Sequence, residues 1–287
     1  MLTRRQWLTR SAALALSAGN GPAHAQSGGF RGRLFDCHCH IIDPRFPLVQ
    51  NQGYTPSPFP LAEYRARVAP LGIMGGAIVS GSFHGYDQTY LKNALAQLGY
   101  GWSGVTQLPA DVPDAEIAAL SMLGVRALRF NLFRGRIDNV DELVSLAIRA
   151  RAAGGMHAEI YADAATLAPH VARLAKLPQL VIDHLGMSEA GLPVVLDLVD
   201  AGAKVKATGF GRVKMNVPAA LERIARRDPR ALMFGTDLPS TRAERPFADD
   251  DIGLIRRVFG AELAHQVLWD NAVDLYRPPG VELEGCL

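Results

Sequence analysis

The sequence predicts an α/β fold in which eight parallel strands alternate with helices around a closed barrel. Short apolar runs rich in β-branched residues recur eight times, and stretches with the period of amphipathic helices separate them. No glycine-rich dinucleotide fingerprint follows the first run, which disfavours the alternative of an open doubly wound sheet. Alternation of this kind over about 240 residues is typical of the (β/α)8 barrel, the TIM barrel.

Each strand candidate is a short apolar segment of the kind expected for a buried parallel strand. In chain order the candidates are Leu34–His40, Gly76–Ser82, Trp102–Leu108, Val125–Asn131, Met156–Tyr161, Leu180–Leu185, Ala203–Thr208 and Leu232–Asp237. Polar side chains at their carboxyl ends should meet at one rim, where barrels of this class carry their active sites. The Pro-, Asn- and Gly-rich segment 44–60 follows the first strand and is predicted to be a long loop at that rim.

Two of the helices between the strands have clear boundary signals. Asp114–Leu123 follows Val112-Pro113, and Asp114 suits the N-cap or the first helical turn. Asp138–Ala153 has apolar residues at the spacing of one helical face, and Gly154-Gly155 follows it as a C-cap signal. Both helices lie between predicted strands, as the barrel requires.

The first 25 residues have the pattern of an export signal. A basic head with Arg4-Arg5 precedes an apolar stretch, and Ala23-His24-Ala25 forms a small-residue cleavage site. The paired arginines also resemble a twin-arginine signal, which predicts a periplasmic location. The alternative is an amphipathic N-terminal arm. With the signal at 1–25, residues 26–287 have a usual length for one barrel domain.

Composition narrows the classes of partner. The formal net charge of +2, without a long basic stripe, gives no electrostatic footprint for nucleic acid. No apolar run reaches the ~20 residues needed to cross a bilayer, so no membrane insertion of the mature chain is expected. The three cysteines are Cys37, Cys39 and Cys286, an odd count that excludes a disulfide framework. A small molecule is the expected partner, and the oligomeric state is left open.

The first strand carries the most conspicuous pattern of the chain, FDCHCHII at residues 35 to 42. Side chains alternate between the two faces of a strand, so a regular strand would send Asp36, His38 and His40 into the barrel. The same alternation would send Cys37 and Cys39 toward the helices as buried thiols. Two imidazoles on one face can converge on one ion or one reaction centre.

Two further strand ends add groups of matching chemistry. His184 ends the sixth strand and Asp237 ends the eighth. With His38 and His40 they supply three neutral nitrogens and one carboxylate, which suit a divalent metal that keeps an open position for water. The Asp237 carboxylate can equally serve as the general base for that water.

Ordered motifs run through nearly the whole barrel: DCHCHIIDPRFP from Asp36, YTP from Tyr54, SFHGYDQ from Ser82, GVRALRFN from Gly124, VIDHLG from Val181, KATGFGR from Lys206, FGTDLP from Phe234 and NAVDLYR from Asn271. Through them the sequence resembles the amidohydrolase superfamily, in its branch related to 2-pyrone-4,6-dicarboxylate lactonase. The resemblance implies a hydrolase that opens the cyclic ester of an anionic lactone. In it Asp237 would activate water, and the histidines would polarise or position the lactone carbonyl.

The resemblance also implies which residues contact the substrate. Arg129 and Arg212 match positions that bind carboxylates, and a guanidinium suits a planar carboxylate through paired donors. Asn131 shares a strand face with Arg129 and is assigned to the same pocket. The further matching pocket positions, which carry hydroxyl or imidazole donors, are Tyr54, Ser82, His84 and Tyr161.

The chain departs from the branch at two positions. Gly135 stands where the branch has a basic residue, and Met187-Ser188 stand where another is expected. Either Arg134 or Arg136 rebuilds the missing part of the carboxylate clamp, or the substrate has fewer carboxylates. Because export separates the protein from cytoplasmic aromatic catabolism, another lactone, such as a sugar-derived one, is also an option.

Metal dependence is a separate question. The fourth strand ends without a Lys or Glu that could bridge two ions, and the fifth ends at Tyr161, with His157 low in the barrel. A binuclear centre is therefore not expected. One zinc or manganese ion on His38, His40, His184 and Asp237, or a metal-free site, are both left open.

Two other functions remain as alternatives. The same set of three histidines and one aspartate also serves metal-dependent, non-oxidative decarboxylases of the superfamily. A catalytically silent periplasmic protein could instead use the arginine pocket for carboxylate binding alone. The intact base and histidines argue against the second alternative, because binding a carboxylate does not require them.

Overall fold

The computed structural model describes residues 32–134 and 139–281 of the chain. Eight parallel strands pair in sequence order, from β1 through β8. The ring is completed after β8, where the amide of Asp237 donates to the carbonyl of His38 at 2.7 Å. The amide of His40 donates to the carbonyl of Leu238 at the same distance of 2.7 Å. The predicted α/β barrel is therefore confirmed.

The strands lie where the sequence predicts them, but most end one to three residues earlier. Their bounds are Leu34–Cys39 (β1), Ile73–Val79 (β2), Trp102–Thr106 (β3), Val125–Asn131 (β4), His157–Tyr161 (β5), Leu180–Ile182 (β6), Lys204–Ala207 (β7) and Leu232–Phe234 (β8). The early ends have a local cause at two strands. His184 and Asp237 adopt left-handed backbone conformations, with φ of 50° and 60°, which a strand cannot contain.

The helices follow the strands in turn and pack around them. Their bounds are Leu61–Val68 (α1), Thr89–Leu98 (α2), Asp114–Met122 (α3), Val140–Gly154 (α4), Val171–Leu174 (α5), Leu192–Asp200 (α6), Val217–Arg227 (α7), Asp250–His265 (α8) and Asn271–Tyr276 (α9). Helix α4 begins at Val140 because the Asn139 side chain accepts from the amide of Asp141 at 2.9 Å. None of the helices in the described ranges is long and apolar enough to cross a bilayer.

Two apolar clusters pack against the two faces of the strands. The larger lies between the strands and the surrounding helices and includes Cys39, Ile78 and Leu128. The smaller combines Phe35, Cys37 and Met233 with residues of the last helix, among them Val273 and Tyr276. Because members of the smaller cluster come from six different strands, they meet inside the barrel. This cluster fills the lower interior and leaves polar groups for the upper part.

Strand β1 does not keep the predicted alternation. Asp36 pairs with Gly76 and Cys39 pairs with Ile78, so two residues of β1 lie opposite one residue of β2. This extra residue is a β-bulge, which re-aims the side chains on either side of it. As a result Cys37 joins the interior cluster, whereas Cys39 packs against the helices. The prediction that Cys37 packs against the helices was wrong.

Asp36 also departs from its predicted direction. Its Oδ2 accepts from the hydroxyl of Tyr64 on α1 at 2.9 Å and from the hydroxyl of Thr236 at 2.6 Å. Its Oδ1 accepts from the amide of Thr236 at 2.8 Å. The carboxylate thus ties β1 to α1 and to the segment after β8, and it does not face the interior. Burial raises its pKa to about 6, although these hydrogen bonds oppose the shift.

The predicted export signal at 1–25 and the residues Arg136 and Cys286 lie outside the described residues. The signal and its cleavage therefore stay predictions. Cys37 and Cys39 are buried free thiols. Burial raises the pKa of both thiols well above the usual value, as expected for inert packing residues.

Candidate active site

A cavity opens at the carboxyl ends of the strands, where barrels of this class carry their chemistry. All the predicted site residues except His38 and His84 line it, namely His40, Tyr54, Ser82, Arg129, Asn131, Tyr161, His184, Arg212 and Asp237. His38 lies directly beneath, with Nε2 at 3.8 Å from Oδ1 of Asp237. The fold therefore brings together groups that are nearly 200 residues apart in the sequence.

Asp237 lies at the centre of this group and is fully buried. Oδ2 accepts from Nε of Arg212 at 2.8 Å and also from Nη2 of the same guanidinium. Oδ1 has no hydrogen-bond partner within the described ranges, and Nε2 of His38 and Nε2 of His40 both lie 3.8 Å from it. One oxygen of the carboxylate is thus anchored, and the other is available to a ligand.

The histidines around Oδ1 are neutral at neutral pH. Burial lowers the pKa of His38, and the nearby Lys206 ammonium lowers it further. Burial also lowers the pKa of His40 and of His184 well below the usual value. For His184 the neighbouring Arg212 charge adds to this effect. Neutral imidazoles can donate and accept hydrogen bonds without adding charge to the site.

His40 has a defined tautomer. Its Nδ1 lies 2.7 Å from the carbonyl oxygen of Val79. A carbonyl can only accept, so Nδ1 carries the proton and Nε2 presents its lone pair toward the cavity.

His184 is held by its backbone conformation. Its left-handed backbone turns the side chain toward β1, with its ring centroid 4.7 Å from that of His38. A Cβ on Gly209 would approach Nδ1 of His184 to 2.7 Å, so the loop after β7 requires glycine there.

His84 does not reach the cavity. Its Nδ1 accepts from the amide of Gly81 at 3.0 Å, and its Nε2 donates to the carbonyl of Ile41 at 3.0 Å. The ring stacks on Tyr90 with centroids 3.7 Å apart. Burial lowers its pKa to about 3. These contacts occupy both ring nitrogens, so the expectation that His84 donates to a substrate was wrong; it braces the loop after β2.

A layer of buried charge lies below the cavity, and sequence reasoning missed most of it. Lys206 on β7 places Nζ 2.5 Å from Oε2 of Glu159 and 3.4 Å from Oδ1 of Asp183. Nε of Arg129 donates to Oδ2 of Asp183 at 2.8 Å. Two cations and two carboxylates therefore balance each other in the barrel interior. In the sequence, this layer is indicated by a charged residue inside an otherwise apolar strand, as in HAEIY, KVKA and LVID.

The pKa values of this layer follow from its geometry. Burial alone would raise the pKa of Glu159, but the Lys206 ammonium and His157 lower it to about 2. Lys206 and Arg129 likewise overcome the effect of burial on Asp183 and hold its pKa well below the usual range. Burial would lower the pKa of Lys206, yet the two carboxylates raise it. Glu159, Asp183 and Lys206 are therefore charged at neutral pH.

Four arginines face the cavity, and they divide into two pairs. Arg129 and Arg212 are matched by Asp183 and Asp237. Arg134 and Arg242 have no carboxylate partner in the part of the chain that the structure describes. Burial lowers the pKa of Arg242, and the positive charge of Arg134 lowers it further. An anion between the last two guanidiniums would relieve this repulsion.

Arg242 follows β8 and was missed in the sequence. Its guanidinium lies 4.3 Å over the ring of Tyr54 and hydrogen-bonds the carbonyl of Asn51. These contacts hold it against the long loop after β1. Arg134, one of the two predicted replacements for the missing basic residue, lines the cavity, and the other, Arg136, lies outside the described residues.

The donor atoms of a mononuclear metal site are present. Ligand atoms of His38, His40 and Asp237, and separately of His38, Asp183 and His184, lie within 4.8 Å of one another. The surrounding charges do not fit a dication, however. Lys206, Arg129 and Arg212 already neutralise Glu159, Asp183 and Asp237, so a divalent ion would add two uncompensated charges.

A family model described as amidohydrolase matches residues 35–277 of the chain. The chain belongs to the amidohydrolase family. A 2-pyrone-4,6-dicarboxylate hydrolase of Comamonas testosteroni is 30% identical, covering 86% of this chain and 90% of that protein. A 4-sulfomuconolactone hydrolase of Rhizobium radiobacter is 26% identical, covering 84% and 89%.

A solved structure has the same architecture. It is a suspected 2-pyrone-4,6-dicarboxylic acid hydrolase from Pseudomonas putida, 26% identical, with a TM-score of 0.74. The match covers 85% of this chain and 97% of that one. The family and fold that the motifs predict are both confirmed, and with them an enzyme of the hydrolase class.

Proposed function

We propose that this protein hydrolyses the cyclic ester of a small lactone that carries at least two anionic groups. The observation that carries the proposal is the cavity itself. A half-anchored carboxylate and three neutral histidines lie beside two arginines that have no carboxylate partner among the described residues. The named activities of the relatives support the same class of substrate, because both act on anionic lactones or pyrones.

In the proposed reaction, Oδ1 of Asp237 accepts a proton from water, and the water oxygen attacks the lactone carbonyl. The accepting Nε2 of His40 lies near the same oxygen and helps to orient that water. The negative charge that develops on the carbonyl oxygen needs a hydrogen-bond donor close to that oxygen. Collapse of the tetrahedral intermediate breaks the ring ester bond, and the proton held by Asp237 passes to the leaving oxygen.

Substrate anions would bind to the arginines that line the cavity. Arg134 and Arg242 supply the positive charge for one anionic group, and Arg242 replaces the basic residues that the sequence lacks at Gly135 and Met187. Arg129 stacks against Tyr161 at 4.8 Å and adds to the positive potential of the pocket. The charge balance around Asp237 supports hydrolysis without a tightly held metal. It disfavours the decarboxylase alternative, which requires one.

The proposal is tested with a panel of lactones and purified protein, following acid release at constant pH. The panel contains 2-pyrone-4,6-dicarboxylate, a monocarboxylated lactone of the same ring and a neutral lactone. We expect kcat/KM to fall from the dicarboxylate to the monocarboxylated lactone and again to the neutral lactone. Each lost carboxylate leaves an arginine of the cavity without its partner. No turnover of any member, together with tight binding of the dicarboxylate, would instead favour the silent binding protein.

We further propose that the enzyme is exported to the periplasm through the twin-arginine pattern at Arg4-Arg5. Fractionation of cells that express the full chain tests this, with a double substitution of both arginines by lysine as the variant. We expect mature protein that begins at Gln26 in the periplasm and retention of the variant in the cytoplasm. Cytoplasmic full-length protein in both cases would refute export.

A further inference from the structure

The charge layer beneath the cavity points to a role for Lys206. We propose that Lys206 is a positioning residue that fixes the ring proton of His38 on Nε2 and so makes His38 the hydrogen-bond donor to the reacting carbonyl oxygen. The catalytic consequence rests on the proposed lactone hydrolysis. The tautomer itself depends only on the contacts of His38 and can be measured without a substrate.

The contacts of Nζ decide the direction of its hydrogen bonds. It lies 3.2 Å from Nδ1 of His38, in addition to the short contact with Glu159 and the longer one with Asp183. An ammonium between two carboxylates has three N–H donors and no lone pair. Nδ1 of His38 must therefore accept, and a neutral imidazole that accepts at Nδ1 carries its proton at Nε2.

One competing arrangement exists. Oδ1 of Asp183 lies 3.5 Å from Nδ1 of His38 and could accept a proton from it. That proton would then stand beside the Lys206 ammonium, which is closer to Nδ1, at 3.2 Å. Oδ1 of Asp183 is also nearer to Nζ, at 3.4 Å, than to the imidazole. The lysine contact therefore determines the tautomer.

Lys206 cannot move away from His38, because its partners are held from below. Oε1 of Glu159 accepts from the Tyr276 hydroxyl at 2.5 Å and contacts Nε2 of His157 at 3.1 Å. Asp183 is held by Arg129. The ammonium and both carboxylates have no exposed surface. The geometry is thus fixed before any substrate binds, as electrostatic stabilisation of a transition state requires.

The two histidines of β1 consequently have opposite tautomers. His40 presents an accepting Nε2, because its Nδ1 donates to Val79. His38 presents a donating Nε2–H that has no partner within the described ranges. Both nitrogens lie 3.8 Å from Oδ1 of Asp237. An attacking water can donate to Asp237 and His40, while the carbonyl oxygen accepts from His38.

The tautomer is measured by ¹⁵N NMR of the histidine side chains in the full, substrate-free protein. The His38 signals are assigned by their loss in His38→Asn. We expect the Nε2–H tautomer in the wild type and a shift toward Nδ1–H in Lys206→Met, where Asp183 becomes the acceptor. For hydrolysis, kcat should fall about 10²–10³-fold, the effect of losing one oxyanion donor, with a much smaller change in KM.

Lys204→Met is the matched control. Lys204 lies two residues earlier on β7, and its Nζ donates to the carbonyl of Arg230 at 2.8 Å, away from His38. This variant should keep the wild-type tautomer and kcat. Because Lys206→Met leaves two buried carboxylates with one cation, Lys206→Met with Glu159→Gln restores the balance and is measured alongside it.

Two results would overturn the proposal. One is an Nδ1–H tautomer of His38 in the wild type. The other is an unchanged His38 signal in both Lys206 variants. A wild type that shows the Nε2–H tautomer, shifted in the variants, but hydrolyses no lactone would leave the role of Lys206 intact and refute the proposed substrate class instead.

Discussion

Arg212 donates two hydrogen bonds to one oxygen of Asp237 and none to the other. This asymmetry divides the carboxylate into an anchored oxygen and an available one, which faces His38 and His40. An anchored carboxylate keeps its orientation during proton transfer, and its charge is stabilised by the guanidinium. The same adjacency raises the pKa of Arg212 above its usual value, although burial alone would lower it.

Asp237→Asn should retain the fold and lose hydrolysis. The amide keeps the size and one acceptor of the carboxylate but cannot take a proton from water, so kcat should fall by about 10³-fold or more. Steady-state kinetics and thermal melting measure the two effects separately. Asp274→Asn, an exposed change outside the cavity, is the control. Near-wild-type turnover in Asp237→Asn would contradict the proposed base.

Arg242→Met should weaken binding of the dicarboxylated lactone more than that of the monocarboxylated one. Loss of a charge-assisted contact is worth ~1.5–3 kcal/mol, so KM for the dicarboxylate should rise about 10–100-fold while kcat changes little. Arg226→Met is a matched control, because Arg226 pairs with Glu222 on the exposed face of α7. An equal effect on both lactones would show that Arg242 does not select for the second anion.

Chelation should leave the activity unchanged. The cations around Asp237 already balance the carboxylates, so no dication is needed to neutralise the site. Dialysis against a strong chelator, followed by elemental analysis and kinetics, measures this. Zinc or manganese at one ion per chain, with activity that is lost on chelation and restored by the metal, would refute it.

Asp36 should make folding stability depend on pH. Its folded pKa of about 6 lies above the ordinary value of 3.8, so the folded state binds more protons between these values. Stability therefore falls as pH rises from 4 to 7, by about 3 kcal/mol from this group alone.

The matching variant is Asp36→Asn, which has no proton to lose. Urea unfolding at several pH values should show the wild type losing stability relative to Asp36→Asn as pH rises. A constant difference between the two proteins across this range would contradict the raised pKa.

The sequence predicts the barrel and most of its rim because both depend on local signals. Apolar runs mark the strands, and polar residues such as His184 and Asp237 stand at their ends. The bulge in β1 escapes prediction because FDCHCHII alternates regularly, and only pairing with β2 reveals the extra residue. The role of Lys206 could not be predicted for a related reason. A lysine within a strand indicates a buried ion pair only when its carboxylate partners are known.

The balanced charges under the cavity have a consequence for how such enzymes can evolve. Lys206, Arg129, Glu159 and Asp183 cancel as a group, so losing one alone would leave an uncompensated charge in the interior, at a cost of about 3–5 kcal/mol. A neutral substitution at one of these positions must therefore be matched by a neutral substitution at a position of the opposite charge. Arg134 and Arg242 at the rim pair with no carboxylate in the described ranges, so descendants of this barrel can acquire new substrates there while inheriting the same chemistry below.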